Sequence, residues 1–375
     1  MHNLLKLIRF FCIYGFWRTT WKLLGRTRIS FPNYSFKRIS PDLGIVGCGQ
    51  FAFATIGFFI FKKFGYRFKK CFDTNPLQSN SFAKFYKIKQ SCSSFDQFLN
   101  DKDIKLAYVS SNHASHAKYA VELLRRDIDV YIEKPIVVTR DDLVNLLKEK
   151  NKSKGQIYVG YNRPFSPCIE LFRDKLEKFG SGGFSINCHV NGHLIPSEHW
   201  YRLPTEGTRV CGNLGHWLDL SVHLLSLRGM PDLISISISV ADNDEYDDNF
   251  VVNFSSDRKD IVSIMLTSRC EPFEGINETI NIQYRNTICK IDDFRKIVIW
   301  QGDKVFKKTI WPKDVGHRNA ILQPFNNATK RDFDEVILST LLMLHVAEMV
   351  KNKQKSSKFS FSQQFTALMD EVEGS

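Results

Sequence analysis

The chain has 375 residues, too many for one small core and enough for two domains. With 43% hydrophobic and 25% charged residues it is neither disordered nor fibrous, and phenylalanine, at 31 residues, is the one compositional excess. Nine scattered cysteines with no C-x-x-C pair or zinc-like spacing fit a reducing cytosol, and a formal charge of +12 suits an anionic partner without choosing among nucleic acid, an acidic membrane surface and a phosphorylated substrate.

In chain order, the first 28 residues carry Lys6, Arg9, Arg18, Lys22, Arg26 and Arg28 and no acid, interleaved with aromatic and aliphatic residues such as Phe11, Phe16, Trp17 and Trp21. The longest uncharged run there, Phe10 to Trp17, is far short of the roughly 20 residues a spanning helix needs, and no small-residue cleavage site follows it. Two readings stay open: an extension packed on the body or on another subunit, or an amphipathic helix resting on anionic lipid as a peripheral membrane contact through residues 1–30.

Pro32 and Pro41 bracket a linker, so residues 1–39 are expected to be extension and linker. Beyond it strand-like and helical runs alternate. Strands are expected from 43 running into a glycine turn and at 66–73, 106–110, 130–133 and 156–160, with helices at 53–64, 94–99, 113–126 and 140–152. Such alternation implies parallel βαβ units, and thus an α/β dinucleotide-binding domain over 40–160. From 161 to 375 the pattern changes to seven successive strands, from 184–190 to 297–300, with a helix at 211–227 and another at 332–351. An α+β domain with an open, mostly antiparallel sheet is expected there, the sheet also serving as an oligomer contact. The tail with Lys351, Lys353, Lys355 and Lys358 reads as a solvated end.

Gly47-Cys48-Gly49-Gln50-Phe51-Ala52 fits G-x-G-x-x-G/A directly after a strand and before a helix. The first glycine serves the tight turn, the second lets backbone approach a pyrophosphate, and the small sixth residue packs helix on strand. Free N–H groups at the helix start then face the phosphates. Asp73 closes the next strand, where a carboxylate accepts from the adenosine ribose hydroxyls and repels a 2′-phosphate, favouring NAD over NADP; the bland alternative is a cap on the turn Thr74-Asn75-Pro76.

Ala107 to His116, Glu133-Lys134-Pro135, Gly160-Tyr161-Asn162-Arg163-Pro164-Phe165-Ser166-Pro167 and the Asp219-x-x-x-His223 helix together resemble the Gfo/Idh/MocA oxidoreductases. The resemblance covers roughly residues 42 to 225 by motif; Ser110-Ser111-Asn112-His113 departs from the family's T-P-x-x-x-H, and Pro164 replaces a second arginine. It implies a Rossmann domain that binds NAD through Gly47, Gly49, Gln50, Phe51, Ala52, Asp73, Ser110, Asn112, His113, Glu133 and Lys134. It also implies Lys134 as a catalytic residue, beside a cis-capable Lys-Pro bond and supplying positive charge to a developing alkoxide.

Asp219 and His223, at i and i+4, share one helix face, so the histidine can take a hydroxyl proton while the aspartate holds the imidazole. Tyr161, Asn162, Arg163 and His216 join them as expected substrate-binding residues. The cofactor carries the hydride chemistry, so no metal is expected. Arg163, Arg202 and Arg209 could meet a diphosphate, which leans the substrate towards a nucleotide-activated sugar, as in surface polysaccharide biosynthesis, in a cytoplasmic homo-oligomer without a nucleic-acid partner. The alternatives are a dehydrogenase of a free sugar, inositol or other polyol, and a non-catalytic NAD sensor or scaffold docking through its basic N-terminus.

Overall fold

The computed structural model describes the chain apart from residues 1, 30–32, 38, 90, 177–181, 242–246, 271–274, 327–329 and 375, so Pro32 of the expected linker lies outside the described residues. The chain divides into two compact units: Phe10–Gly160 with His317–Arg331, and Met1–Arg9 with Tyr161–Gly316 and Asp332–Ser375.

The basic N-terminal stretch is helical. α1 (His2–Thr27) is interrupted at Gly15, whose φ of 74° only glycine adopts freely. From residue 10 onward it packs on the core of the first unit. Trp21 and Leu24 are buried in that core, and the Trp21 indole donates to the Tyr86 hydroxyl at 3.2 Å, which in turn donates to the Phe53 carbonyl at 2.6 Å. Phenylalanine thus has a purpose here: Trp21 lies against the rings of Phe58, Phe61 and Phe85, an aromatic seam that clamps α1 down.

β1 (Leu43–Val46) leads through the glycine turn into a π-helical turn, Ala52–Ile56, and α2 (Gly57–Phe64). There follow β2 (Phe68–Phe72), α3 (Pro76–Tyr86), α4 (Phe95–Leu99), β3 (Leu106–Val109), α5 (His116–Leu124), β4 (Asp129–Ile132), α6 (Arg140–Lys152) and β5 (Ile157–Val159). The strands form a five-stranded parallel sheet in the order β2-β1-β3-β4-β5. β1, β3 and most of β4 are buried, as an apolar strand covered on both faces must be. Strand order reverses between β1 and β3, the switch point outside which open α/β sheets bind ligands.

α3 is not foretold by the sequence pattern, which shows only a turn at Thr74-Asn75-Pro76. The turn is the helix start: the Asn75 side chain accepts from the Leu77 N–H at 3.0 Å and Pro76 takes the first helical position. Phe82, Phe85 and Tyr86 then bury the aromatic face of α3.

The second unit holds α7 (Pro167–Lys175), β6 (Phe184–Asn191), a π-helical turn Val210–Leu214 running into α8 (Gly215–Ser226), β7 (Leu233–Val240), β8 (Phe250–Ser256), β9 (Ile261–Thr267), β10 (Asn277–Tyr284), β11 (Thr287–Asp292), β12 (Lys296–Gln301) and β13 (Lys304–Thr309). The chain returns to the first unit for α9 (His317–Leu322), then closes with α10 (Phe333–Lys351), β14 (Ser356–Ser360) and α11 (Phe361–Glu373).

Nine strands make one sheet, β13-β12-β11-β10-β6-β9-β8-β7-β14, antiparallel except for the β6–β9 pair. Strict alternation of buried and exposed residues in β6 and β7 shows one face packed and one in water. The tail differs from its expected solvated state. Its lysines are exposed, yet β14 pairs with β7 and buries Phe359, so the segment closes the sheet edge instead of trailing in solvent.

Candidate active site

The carboxyl ends of the parallel strands gather the expected cofactor residues of the first unit. Gly47 has φ +84°, and a Cβ there would stand 2.6 Å from the Ser110 backbone, so only glycine fits. A Cβ at Gly49 would meet no atom within 4 Å, which leaves the backbone open on the side where a pyrophosphate would lie. The Asp73 carboxylate accepts from the Cys48 N–H at 2.6 Å and from the Asn75 N–H at 2.8 Å. It therefore ties the glycine loop to β2 and caps the following turn at once. Burial pushes the Cys48 thiol well above its usual range, so this cysteine is an inert packing residue.

The extension reaches this loop. Arg28 donates to the Cys48 carbonyl at 2.8 Å and to Ser81 Oγ at 3.3 Å. The Gln50 amide, expected to face the cofactor, donates to the Lys22 carbonyl at 3.0 Å. Phe51 sits edge-on to His317, and Ala52 is buried under the loop.

Ser110 donates its hydroxyl to the Gly47 carbonyl at 3.0 Å, joining the ends of β1 and β3. Asn112 is exposed and accepts from Ser115, while His113 is buried. At the end of β4, Glu133 accepts from the Tyr131 hydroxyl at 3.0 Å and from the Lys134 N–H at 3.2 Å. Burial pushes its carboxyl up to about 7, against the opposing pull of Lys134 and these hydrogen bonds. Lys134 is half-buried and joined to Pro135 by a cis bond. The donor and acceptor set fits a dinucleotide: an open glycine loop, a helix start beyond it, and a carboxylate at the end of β2.

In the second unit α8 packs on α10, and both members of the D-x-x-x-H pair face that helix. Asp219 accepts from Ser339 Oγ at 2.9 Å. His223 Nδ1 lies 3.0 Å from Glu335 Oε1 and 3.3 Å from Oε2, and Ser226 Oγ donates to the same carboxylate at 2.6 Å. The imidazole is thus held by Glu335, which corrects the expectation that Asp219 holds it. Nδ1 carries the proton towards the carboxylate, and the buried Nε2 has no hydrogen-bond partner among the described residues. Tyr161 donates to Met343 Sδ at 3.4 Å, and His216 stands edge-on to the Tyr161 ring. Asn162 donates to the Val315 carbonyl at 2.5 Å, and its Oδ1 is buried with no partner among the described residues.

Residues 42–161 match the family described as an oxidoreductase family with an NAD-binding Rossmann fold. This domain belongs to the Gfo/Idh/MocA family. The uncharacterized oxidoreductase YhhX of Escherichia coli is 29% identical over 62% of this chain and 65% of its own length. The inositol 2-dehydrogenase of Salmonella typhimurium is 27% identical over 35% of this chain and 38% of that protein. The chain thus spans less than two thirds of these relatives. A levoglucosan dehydrogenase, solved with NADH and levoglucosan, superposes with a TM-score of 0.71 over 86% of this chain and 100% of its own at 12% identity, and so shares the fold.

Beyond this domain the three arginines expected near a diphosphate are all engaged by carboxylates. Arg163 is buried and makes a two-pronged pair with Glu278, at 2.9 and 3.0 Å, under the Trp217 ring, whose indole donates to the same carboxylate at 2.6 Å. Arg202 and Arg209 share Asp248, each at 2.6 Å. The reading of Arg163 as a substrate contact gives way to a structural one: the buried side chain gives its Nε–H and an Nη2–H to the two oxygens of Glu278. Two residues that the sequence did not single out also matter. His116 bridges the Pro135 and Ser111 carbonyls at 2.7 and 3.1 Å, tying the Lys134-Pro135 turn to the β3 loop. Its place at the end of the T-P-x-x-x-H-like stretch was the available signal. Glu335 had none, because it is 112 residues from His223.

Proposed function

We propose that the chain is an NAD-dependent dehydrogenase that moves a hydride between the nicotinamide and a secondary-alcohol carbon of an uncharged sugar or cyclitol. The observation that carries this reading is the His223 imidazole, held at Nδ1 by Glu335 with Nε2 buried and unengaged. NAD, when bound, supplies the hydride acceptor. His223 Nε2 takes the hydroxyl proton, and Glu335 stabilises the imidazolium that results. Lys134, assigned by its motif, contributes positive charge to the oxygen that becomes an alkoxide. Gly49, Asp73 and Ser110 are the residues that would hold and orient the dinucleotide.

The preference for an uncharged substrate over a nucleotide-activated sugar rests on the arginines. Arg163 pairs with Glu278, and Arg202 and Arg209 pair with Asp248, Arg202 also with Asp247, so the basic balance of the chain does not translate into open phosphate-binding forks in this segment. The inositol and levoglucosan enzymes among the similar proteins favour the same class.

The test is incubation of purified protein with NAD and a panel of free sugars, cyclitols and nucleotide sugars, each followed by mass spectrometry for loss of two hydrogens. Oxidation of an uncharged compound is expected, abolished in both Lys134→Ala and His223→Ala with NAD binding retained. Oxidation confined to nucleotide sugars would overturn the substrate class, and turnover unaffected by either substitution would overturn the catalytic assignment.

A further inference from the structure

The net charge of this chain is confined to its beginning. Residues 1–72 contain thirteen lysines and arginines and a single acid, Asp42, a net charge of +12, which is the formal charge of the whole chain. The rest, 73–375, holds 39 basic and 39 acidic residues and balances to zero. Asp42 is itself paired with Arg67 at 2.8 Å. The segment has no second acid of its own to offset its other cations.

The same segment presents apolar groups to water. Within the first unit α1 is anchored by its inner side: Trp21 and Leu24 are buried, and Arg18 donates at 2.5 Å to the Ala54 carbonyl in the π-helical turn. Its outer side therefore cannot turn inward. There Phe16 and Leu23, two turns apart, are 58% and 45% exposed, and Trp17, one turn before Trp21 on the inner stripe and against its ring, is 56% exposed where that stripe leaves the core. Phe11 and Ile29 are exposed on the same helix and just beyond it, and Phe36 in the following segment is 99% exposed. Beside that segment Lys37 donates to the carbonyls of Lys62 and Lys63 at 2.8 Å, which gathers three lysines at the end of α2. Large contiguous apolar groups rimmed by one sign of charge mark a binding surface.

We propose that this face rests on an anionic phospholipid bilayer, with Phe16, Trp17 and Leu23 entering the headgroup boundary and the basic side chains meeting the lipid charge. An in-plane amphipathic helix needs this pairing of an apolar side with surrounding Lys and Arg, and the attraction grows with each cation near the surface. Among the described residues no helix is long and apolar enough to cross a membrane, so the proposed contact is peripheral. Aliphatic Leu23 and Ile29 neither stack on bases nor donate hydrogen bonds, which sets this surface apart from a nucleic-acid groove.

The experiment uses the full chain in flotation with neutral phosphatidylcholine vesicles and with vesicles holding about 30% phosphatidylglycerol. Binding at least about tenfold stronger to the anionic vesicles is expected, weakened about tenfold by Phe16→Glu with Trp17→Glu, and also by Lys62→Glu with Lys63→Glu. NAD affinity, measured on each variant, should match the parent and show that the fold is intact. Equal binding to both vesicles, or no change in either variant, overturns the proposal. So does a dimer in light scattering that the Phe16 and Trp17 variant dissociates without any vesicle binding, since a second copy would then cover the face. Retention by a soluble RNA as strong as by the vesicles overturns it as well.

Discussion

Glu133 offers a sharp test of the physical reading of the cofactor domain. Its ordinary value of 4.5 is raised to about 7, chiefly by burial, so between those limits the folded protein holds a proton that the unfolded chain has released. A raised folded value means that the group's stabilisation is full below the unfolded value and is lost as pH rises through the folded one. Glu133→Gln removes the titration while keeping the shape: its Oε1 can accept from the Lys134 N–H, and the Tyr131 hydroxyl can turn to accept from the amide. Wild type and variant should thus be similar near about pH 5, and by about pH 8 the variant should be the more stable by about 2 to 3 kcal/mol. Urea unfolding followed by far-ultraviolet circular dichroism at the two pH values measures it, with the other carboxylates cancelling in the difference. Parallel stabilities across the window would refute the buried, proton-holding carboxyl.

Glu335→Gln leaves an acceptor for His223 Nδ1 but removes the charge that stabilises the imidazolium; kcat should fall about ten- to a hundredfold with KM and NAD affinity near those of the parent, and equal kcat would remove Glu335 from the proton transfer. Nitrogen-15 spectra of the histidines check the same dyad without any substrate, since the Nδ1–H tautomer of His223 should dominate and its loss in Glu335→Ala is expected. Arg163→Met leaves Glu278 charged and buried, with the Trp217 indole still donating to it at 2.6 Å, and should cost about 3 to 5 kcal/mol in denaturant unfolding. A cost below about 1 kcal/mol would mean that the pair is dispensable.

The nucleotide-binding half was legible because its information is local. A glycine turn between a strand and a helix uses neighbouring residues, so Gly47, Gly49 and Asp73 could be placed from their spacing along the chain, and α6 begins and ends at the expected Arg140 and Lys152. Alternating runs likewise foretold the parallel sheet and the largely antiparallel one. α3 was missed because an aromatic, serine- and asparagine-rich stretch has little helical preference of its own and is held by the burial of Phe82, Phe85 and Tyr86.

What only the tertiary structure decided is how charges find partners across long stretches of chain. Spacing put Asp219 one helical turn from His223, yet a carboxylate from α10 takes the imidazole. Composition left Arg163, Arg202 and Arg209 looking available, yet Glu278 and Asp248 engage them, because a buried guanidinium must be paired wherever in the sequence its partner lies. The edge strand β14 came from the same source: open backbone groups at β7, with Phe359 buried beside them, draw in a lysine-rich tail that by composition alone belongs in solvent.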